Sequence, residues 1–299
     1  MGIFDEIDQI VNIDIGGRDV DKLYQAARSD LPLCKESAEL IINSVKEDGS
    51  VGIASGFPII PMMKPETDGP LGASILANCL DGLGASPFFV TDELNRRALL
   101  ATAKSIGLDM DVECIPTEQE HAKDVCHEIL KEYDPCLLIS VERPGINPCG
   151  IYNNMNGEDI TRYVGHVDHI FSEALKSSIP TIGIGDGGNE IGMGNIREAL
   201  LKMDDEKMDV YCVTRTKSLI ASAVSNWGAY SVVAAVSISK RCQFMHNADL
   251  EERMLKACVD SGAIDGITKK SELSIDGLSL ELNKRIVGLL HSVVIDGLV

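Results

Sequence analysis

The stretch Thr181-Ile-Gly-Ile-Gly-Asp-Gly-Gly-Asn-Glu-Ile-Gly-Met-Gly194 continues an apolar run that begins at Ile179 and ends in a loop with five glycines in ten residues. Asp186, Asn189 and Glu190 are set among those glycines. Glycine is used where the backbone must take positive φ or approach another group closely, and fixing it costs conformational entropy. Five of them around three polar side chains read as backbone wrapped tightly about a ligand; an ordinary glycine-rich turn is the bland alternative. A short strand feeding such a loop is the mark of an α/β protein, in which sites lie at strand ends. The loop is not a nucleotide fingerprint. Gly183, Gly185 and Gly188 fit G-x-G-x-x-G by position, but Asp186 follows the second glycine and no acidic ribose partner is evident downstream. No Lys-Ser/Thr follows to make a P-loop, so no nucleotide cofactor is expected.

Outward from this loop, strand-like runs alternate with helical patterns. The runs are Val51–Ser55, Pro87–Thr91, Met110–Ile115, Cys136–Val141, Pro180–Ile184 and Asp209–Val213; helical patterns fall at about 70–83, 93–106, 118–132, 158–177, 195–203 and 218–238. Strand followed by helix, repeated, implies right-handed βαβ crossovers. Several runs lack alternation, as strands buried on both faces do. The pattern predicts a Rossmann-like three-layer α/β/α sandwich with a mostly parallel sheet. Residues 1–48 read as a helical N-terminal extension and 249–299 as further C-terminal helices. With no repeat or Pro/Ser linker, residues 1–299 are expected to form one domain.

A formal charge of −19 argues against nucleic-acid or anionic-membrane partners, both of which need a basic face. It also makes a small anionic substrate dependent on a few well-placed cations or a metal. Nine scattered cysteines without a CxxC pair fit reduced thiols in the cytoplasm rather than a disulfide framework. Neither a signal peptide nor an eighteen-residue apolar run is evident. The expected partner is a small molecule, with self-association into a homo-oligomer left open.

The unusual residues fall after the strands. Thr67, Asp68 and Gly69 precede Pro70 in a loop that opens a helix, where Asp68 is either a cap or a ligand-facing carboxylate. The helix start at 69–72 is a candidate anion site. Asp92 and Glu93 read as cap and first-turn acid. Arg143 and Arg215 are candidates to clamp a carboxylate through the guanidinium fork, or else form structural ion pairs, as Glu142-Arg143 could. Asp68, Asp186 and Glu190 offer hard oxygen ligands for Mg²⁺ or Mn²⁺. Equally, Asp186 or Glu190 could act as a general acid/base with its pKa raised by burial. The six histidines show no complete zinc set. Asn226, in the segment with the single Trp, is a packing residue or faces the crevice.

Taken together, T67-D-G-P-L-G72, T91-D-E93, E142-R-P-G145, Y152-N-N-M-N-G-E-D159, G185-D-G-G-N-E-I-G-M-G194 and N226-W-G-A-Y230 resemble the C-terminal domain of the D-glutamate cyclase family. The resemblance spans about residues 50–240. It implies conversion of D-glutamate to 5-oxo-D-proline with loss of water, and a link to manganese or a similar divalent ion. It also implies a hydratase-like partner domain, which this sequence does not contain. On that reading Asp186, Glu190 and Asn189 are the expected catalytic residues. Thr67, Asp68, Gly69, Glu142, Arg143, Asn154, Gly187, Gly188, Arg215 and Asn226 are expected around the substrate, with an oxyanion facing the amides of 187–189. The competing readings are an anion- or nucleotide-binding module without turnover, and a metal-dependent enzyme acting on another small carboxylate or phosphate.

Overall fold

The computed structural model describes residues 2–299. Strands β1 (Ser50–Ser55), β2 (Ser86–Thr91), β3 (Val112–Cys114), β4 (Leu137–Val141), β5 (Thr181–Gly185) and β6 (Ser218–Ala221) form one sheet in the order β3-β2-β1-β4-β5-β6. Every pairing is parallel. Five of the strands are apolar on both faces because both faces are covered; the edge strand β3, Val112-Glu113-Cys114, is half-buried. In β4, Leu137, Ile139 and Val141 join one core and Leu138 the other; in β2, Phe89 opposes Phe88 and Val90 in the same way.

The helices are α1 (Ile3–Val11), α2 (Val20–Ala27), α3 (Leu33–Ser44), α4 (Pro70–Gly82), α5 (Glu93–Ser105), α6 (Gln119–Tyr133), α7 (Asp168–Lys176), α8 (Arg197–Met203), α9 (Ser225–Lys240), α10 (Ala248–Asp260) and α11 (Leu280–Leu298). Ala122, Cys126 and Ile129 of α6 and Ile170, Phe171 and Ala174 of α7 cover one face of the sheet. Side chains of α3, α4, α5 and α9 cover the other, with α1, α10 and α11 packed beyond them. The result is a three-layer α/β/α sandwich whose second layer is thickened by both ends of the chain. Buried α9 is central to that layer, and its Trp227 Nε1 donates to Asn283 Oδ1 of α11 at 2.8 Å.

Two elements differ from the sequence expectation. Asp209–Val213 is not a strand; Val210, Tyr211 and Cys212 are apolar because they are buried against the glycine loop, with Cys212 N donating to Gly188 O at 2.9 Å. The sixth strand is instead Ser218–Ala221, whose apolar residues run on into α9 and so read as helix. Within 158–177, only Asp168–Lys176 is α-helix. The segment before it is a long excursion containing one 3₁₀ turn at Thr161–Tyr163.

Candidate active site

The strand order reverses between β1 and β4, since the chain winds outward one way from β1 and the other way from β4. In a doubly wound sheet, the crevice beyond the carboxyl ends at that point is where ligands bind. A cavity of about 540 Å³ lies there, lined by residues that follow β1, β4 and β5 and by residues from both ends of the chain.

Asp68 stands at the start of two helices. Its Oδ1 accepts from Asn226 N at 2.8 Å and its Oδ2 from Ser225 N at 2.9 Å, so it caps α9. Asn226 returns the bond: its Oδ1 accepts from Gly69 N at 3.0 Å and Gly72 N at 2.7 Å, capping α4. Glu142 follows β4 in a left-handed conformation, with φ 45°, and its Oε2 accepts from Ser225 Oγ at 2.5 Å. A non-glycine residue held there is strained backbone of the kind found at functional sites. Asp186 ends β5. Glu190 turns back on its own loop, accepting from Gly187 N at 2.8 Å and Gly188 N at 2.7 Å. Asn189 donates to Asn153 O at 2.8 Å, which leaves its buried Oδ1 without a partner.

The ends of the chain complete the rim. Arg18 Nη1 lies 2.9 Å from Asp186 Oδ2 and 2.9 Å from Asp276 Oδ2. Asp276 and Lys269 belong to a C-terminal loop folded around buried Asp265. Asp265 Oδ1 accepts from Ile267 N and Thr268 N, and its Oδ2 from Ser274 Oγ and Gly277 N, all within 2.8 Å. That loop brings Gly266 against Glu66, where any Cβ would overlap the carboxylate.

Six carboxyl groups therefore converge: Glu66, Asp68, Glu142, Asp186, Glu190 and Asp276. Burial pushes Glu66, Asp68, Glu142 and Asp186 well above the usual carboxylate range, and their acidic neighbours push the same way. Burial raises Glu190 too, against the opposing pull of the backbone amides. Burial works against the charge on Arg18, but Asp186 and Asp276 outweigh it and hold the guanidinium protonated. Asp68, Glu142 and Asp186 each place a carboxylate oxygen within 4.8 Å of the others. Hard anionic donors in such a cluster suit Mg²⁺ or Mn²⁺, and a divalent cation would relieve the repulsion among them.

Of the expected residues, Asp186, Gly187, Asn189, Glu190, Glu142 and Asn154 line the cavity, and Asp68 joins the trio behind them. Glu142 takes the place in that trio expected of Glu190. Arg143 does not reach the cavity: it is fully buried, paired with Asp92 at 2.7 Å and donating to the Gly56 and Gly165 carbonyls. Arg215 is exposed and is not among the lining residues. The 69–72 helix start is closed to an anion because Asn226 takes the Gly69 and Gly72 amides, and Thr67 Oγ1 is spent on Ser274 O at 2.9 Å. The Gly187 and Gly188 amides likewise serve Glu190 rather than an oxyanion. Sequence reasoning missed Arg18, Glu66 and Asp276. The only local signals were Gly16-Gly-Arg-Asp19 and the Asp276-Gly turn, neither of which stands near the strand ends in sequence.

Fold and site together define a doubly wound α/β protein with a buried acidic crevice at its switch point. A family model described as "D-glutamate cyclase-like, C-terminal" matches residues 7–291, and the chain belongs to that family. It is 26% identical over 308 residues to the human protein named "D-glutamate cyclase, mitochondrial", an alignment covering 91% of this chain and 48% of the human one. The chain thus spans about half the length of that relative. No helix among the described residues is long and apolar enough to cross a membrane.

Proposed function

We propose that this protein closes D-glutamate into 5-oxo-D-proline with release of water, assisted by a divalent cation, Mn²⁺ or Mg²⁺, held by Asp68, Glu142 and Asp186. The observation that carries the reading is the buried carboxylate trio at the switch point of a chain of this family. All nine cysteines are free thiols, which supports a reducing compartment such as the cytoplasm.

The reaction forms a bond between the α-nitrogen and the γ-carboxyl carbon and breaks one carbon–oxygen bond. Two protons leave the nitrogen, and both end on the departing oxygen as water. A bound cation supplies polarisation of the γ-carboxylate, a poor electrophile in its free form. The residues do the rest. The cavity folds the substrate so that amine and carboxyl meet, which removes much of the entropic barrier. Asn189 Oδ1, buried and unpartnered, accepts from the ammonium and aims it. Glu190 takes the two protons from nitrogen one after the other and delivers each to the leaving oxygen. Its raised pKa brings it nearer to both partners, as proton relay requires.

The test is proton NMR of purified protein with D- or L-glutamate and catalytic Mn²⁺. Formation of 5-oxoproline from the D-isomer alone supports the proposal. A folded, cation-loaded protein that makes no product overturns it in favour of a binding module or another substrate.

A further inference from the structure

A substrate with two carboxylates entering a crevice of six acids needs a fixed cation. Among the described residues, Arg18 alone forms an ion pair with that cluster. Both of its bonds to the cluster use Nη1, and guanidinium has five N–H donors. Nε and Nη2 have no hydrogen-bond acceptor among the described residues, in a side chain that lines the cavity and is 30% exposed. The residue is carried on a short turn, Gly16-Gly17-Arg18-Asp19. There Gly17 and Asp19 are both left-handed, and Asp14 Oδ1 accepts from Arg18 N at 2.8 Å. Asp186 and Asp276 thus brace Nη1, while the Nε and Nη2 donors are not spent on protein acceptors.

We infer that Arg18 is the substrate's carboxylate anchor: its Nε–Nη2 edge binds the α-carboxylate of D-glutamate in a bidentate fork and sets the amine toward the β5 loop. A planar carboxylate matches that edge, whereas a lysine ammonium at the same place binds it as a point charge. Lys207 and Lys269 also line the cavity, but neither is bonded to the cluster, so neither is braced as Arg18 is. This role rests on the cyclase reading above. It also gives Arg18 a second property: by pairing with Asp186 it competes with a cation for one of the three carboxylates.

The experiment compares wild type, Arg18→Lys and Arg18→Gln. KM and kcat for D-glutamate are followed by NMR, and Mn²⁺ affinity is measured by calorimetry without substrate. Removing a charged, bidentate contact should raise KM about ten- to hundredfold in Arg18→Gln. We expect kcat to stay within a few-fold, Arg18→Lys to be intermediate, and Mn²⁺ to bind Arg18→Gln at least as tightly as wild type. An unchanged KM in Arg18→Gln, with wild type active, overturns the anchor and leaves the cyclase reading standing. A tenfold loss of Mn²⁺ affinity in Arg18→Gln makes Arg18 a brace for the cluster only, and overturns the anchor as well. Wild type that neither binds nor converts D-glutamate removes the reading and the anchor together.

Discussion

Glu190 is held by the loop to which it belongs. Two consecutive glycine amides fix its carboxylate, and the positive φ of Gly188, 116°, is what lets the chain turn back tightly enough to present them. The sequence marked Glu190 as special but left it open as ligand or acid/base; these bonds turn its carboxylate back onto its own loop. Glu190→Gln keeps the shape and the amide contacts to one oxygen while removing the proton relay. We expect kcat to fall about 10²- to 10⁴-fold with folding retained, measured by 5-oxoproline formation and a melting curve. In wild type, Glu190 must be ionised to accept a proton, and burial raises its pKa. The acid limb of the rate profile should therefore lie above the ordinary carboxylate range, with activity rising as pH increases through it. Arg143 shows the opposite case. Its position directly after a strand suggested a ligand contact, but sequence cannot show that Asp92, fifty-one residues earlier, sits across the sheet end to neutralise it.

At the level of elements, the alternation of β and α patterns was enough to place five of the six strands, because each is bounded by loops and all but the half-buried edge strand β3 are apolar on both faces. It failed where burial came without a ladder, at Val210–Cys212, and where the edge strand merged with the apolar helix after it. The C-terminal loop was illegible for a different reason. Its order comes from one buried acid satisfying four donors distributed over Ile267–Gly277, a pattern with no periodicity. Asp265→Ala strands those donors in a buried setting. The expected cost is about 3 kcal/mol of stability, read as a lower midpoint in urea, since each unsatisfied buried group costs about 1–3 kcal/mol and some will find water. Because the same loop delivers Asp276 and Gly266 to the rim, cyclisation should weaken in parallel. A variant of unchanged stability would show that the loop does not depend on Asp265.

Over the whole molecule, the two ends of the chain do more than thicken one layer. They carry Arg18 and Asp276 to a crevice built by β1, β4 and β5, which is why a family resemblance confined to residues 50–240 could not contain the complete site. The concentration of acids there has a thermodynamic consequence. Carboxyls whose folded pKa is raised bind protons that the unfolded chain has already released. Stability without a cation should therefore fall as pH rises from about 4 toward the folded values. A divalent cation binds the ionised trio and offsets that loss. Mn²⁺ at a hundredfold excess over its Kd at pH 8 should accordingly stabilise the fold by about 2.7 kcal/mol there, and the same concentration should raise Tm less at pH 5. An equal shift at both pH values would place the cation elsewhere. The most direct test of the account is D-glutamate turnover by wild type and Asp186→Asn, side by side, across a Mn²⁺ titration. The account predicts that wild type makes 5-oxoproline in proportion to cation occupancy and stops when the cation is chelated. Asp186→Asn should need at least about tenfold more Mn²⁺ or show no turnover. Turnover that survives chelation, or that saturates at the same Mn²⁺ concentration in both proteins, would contradict it.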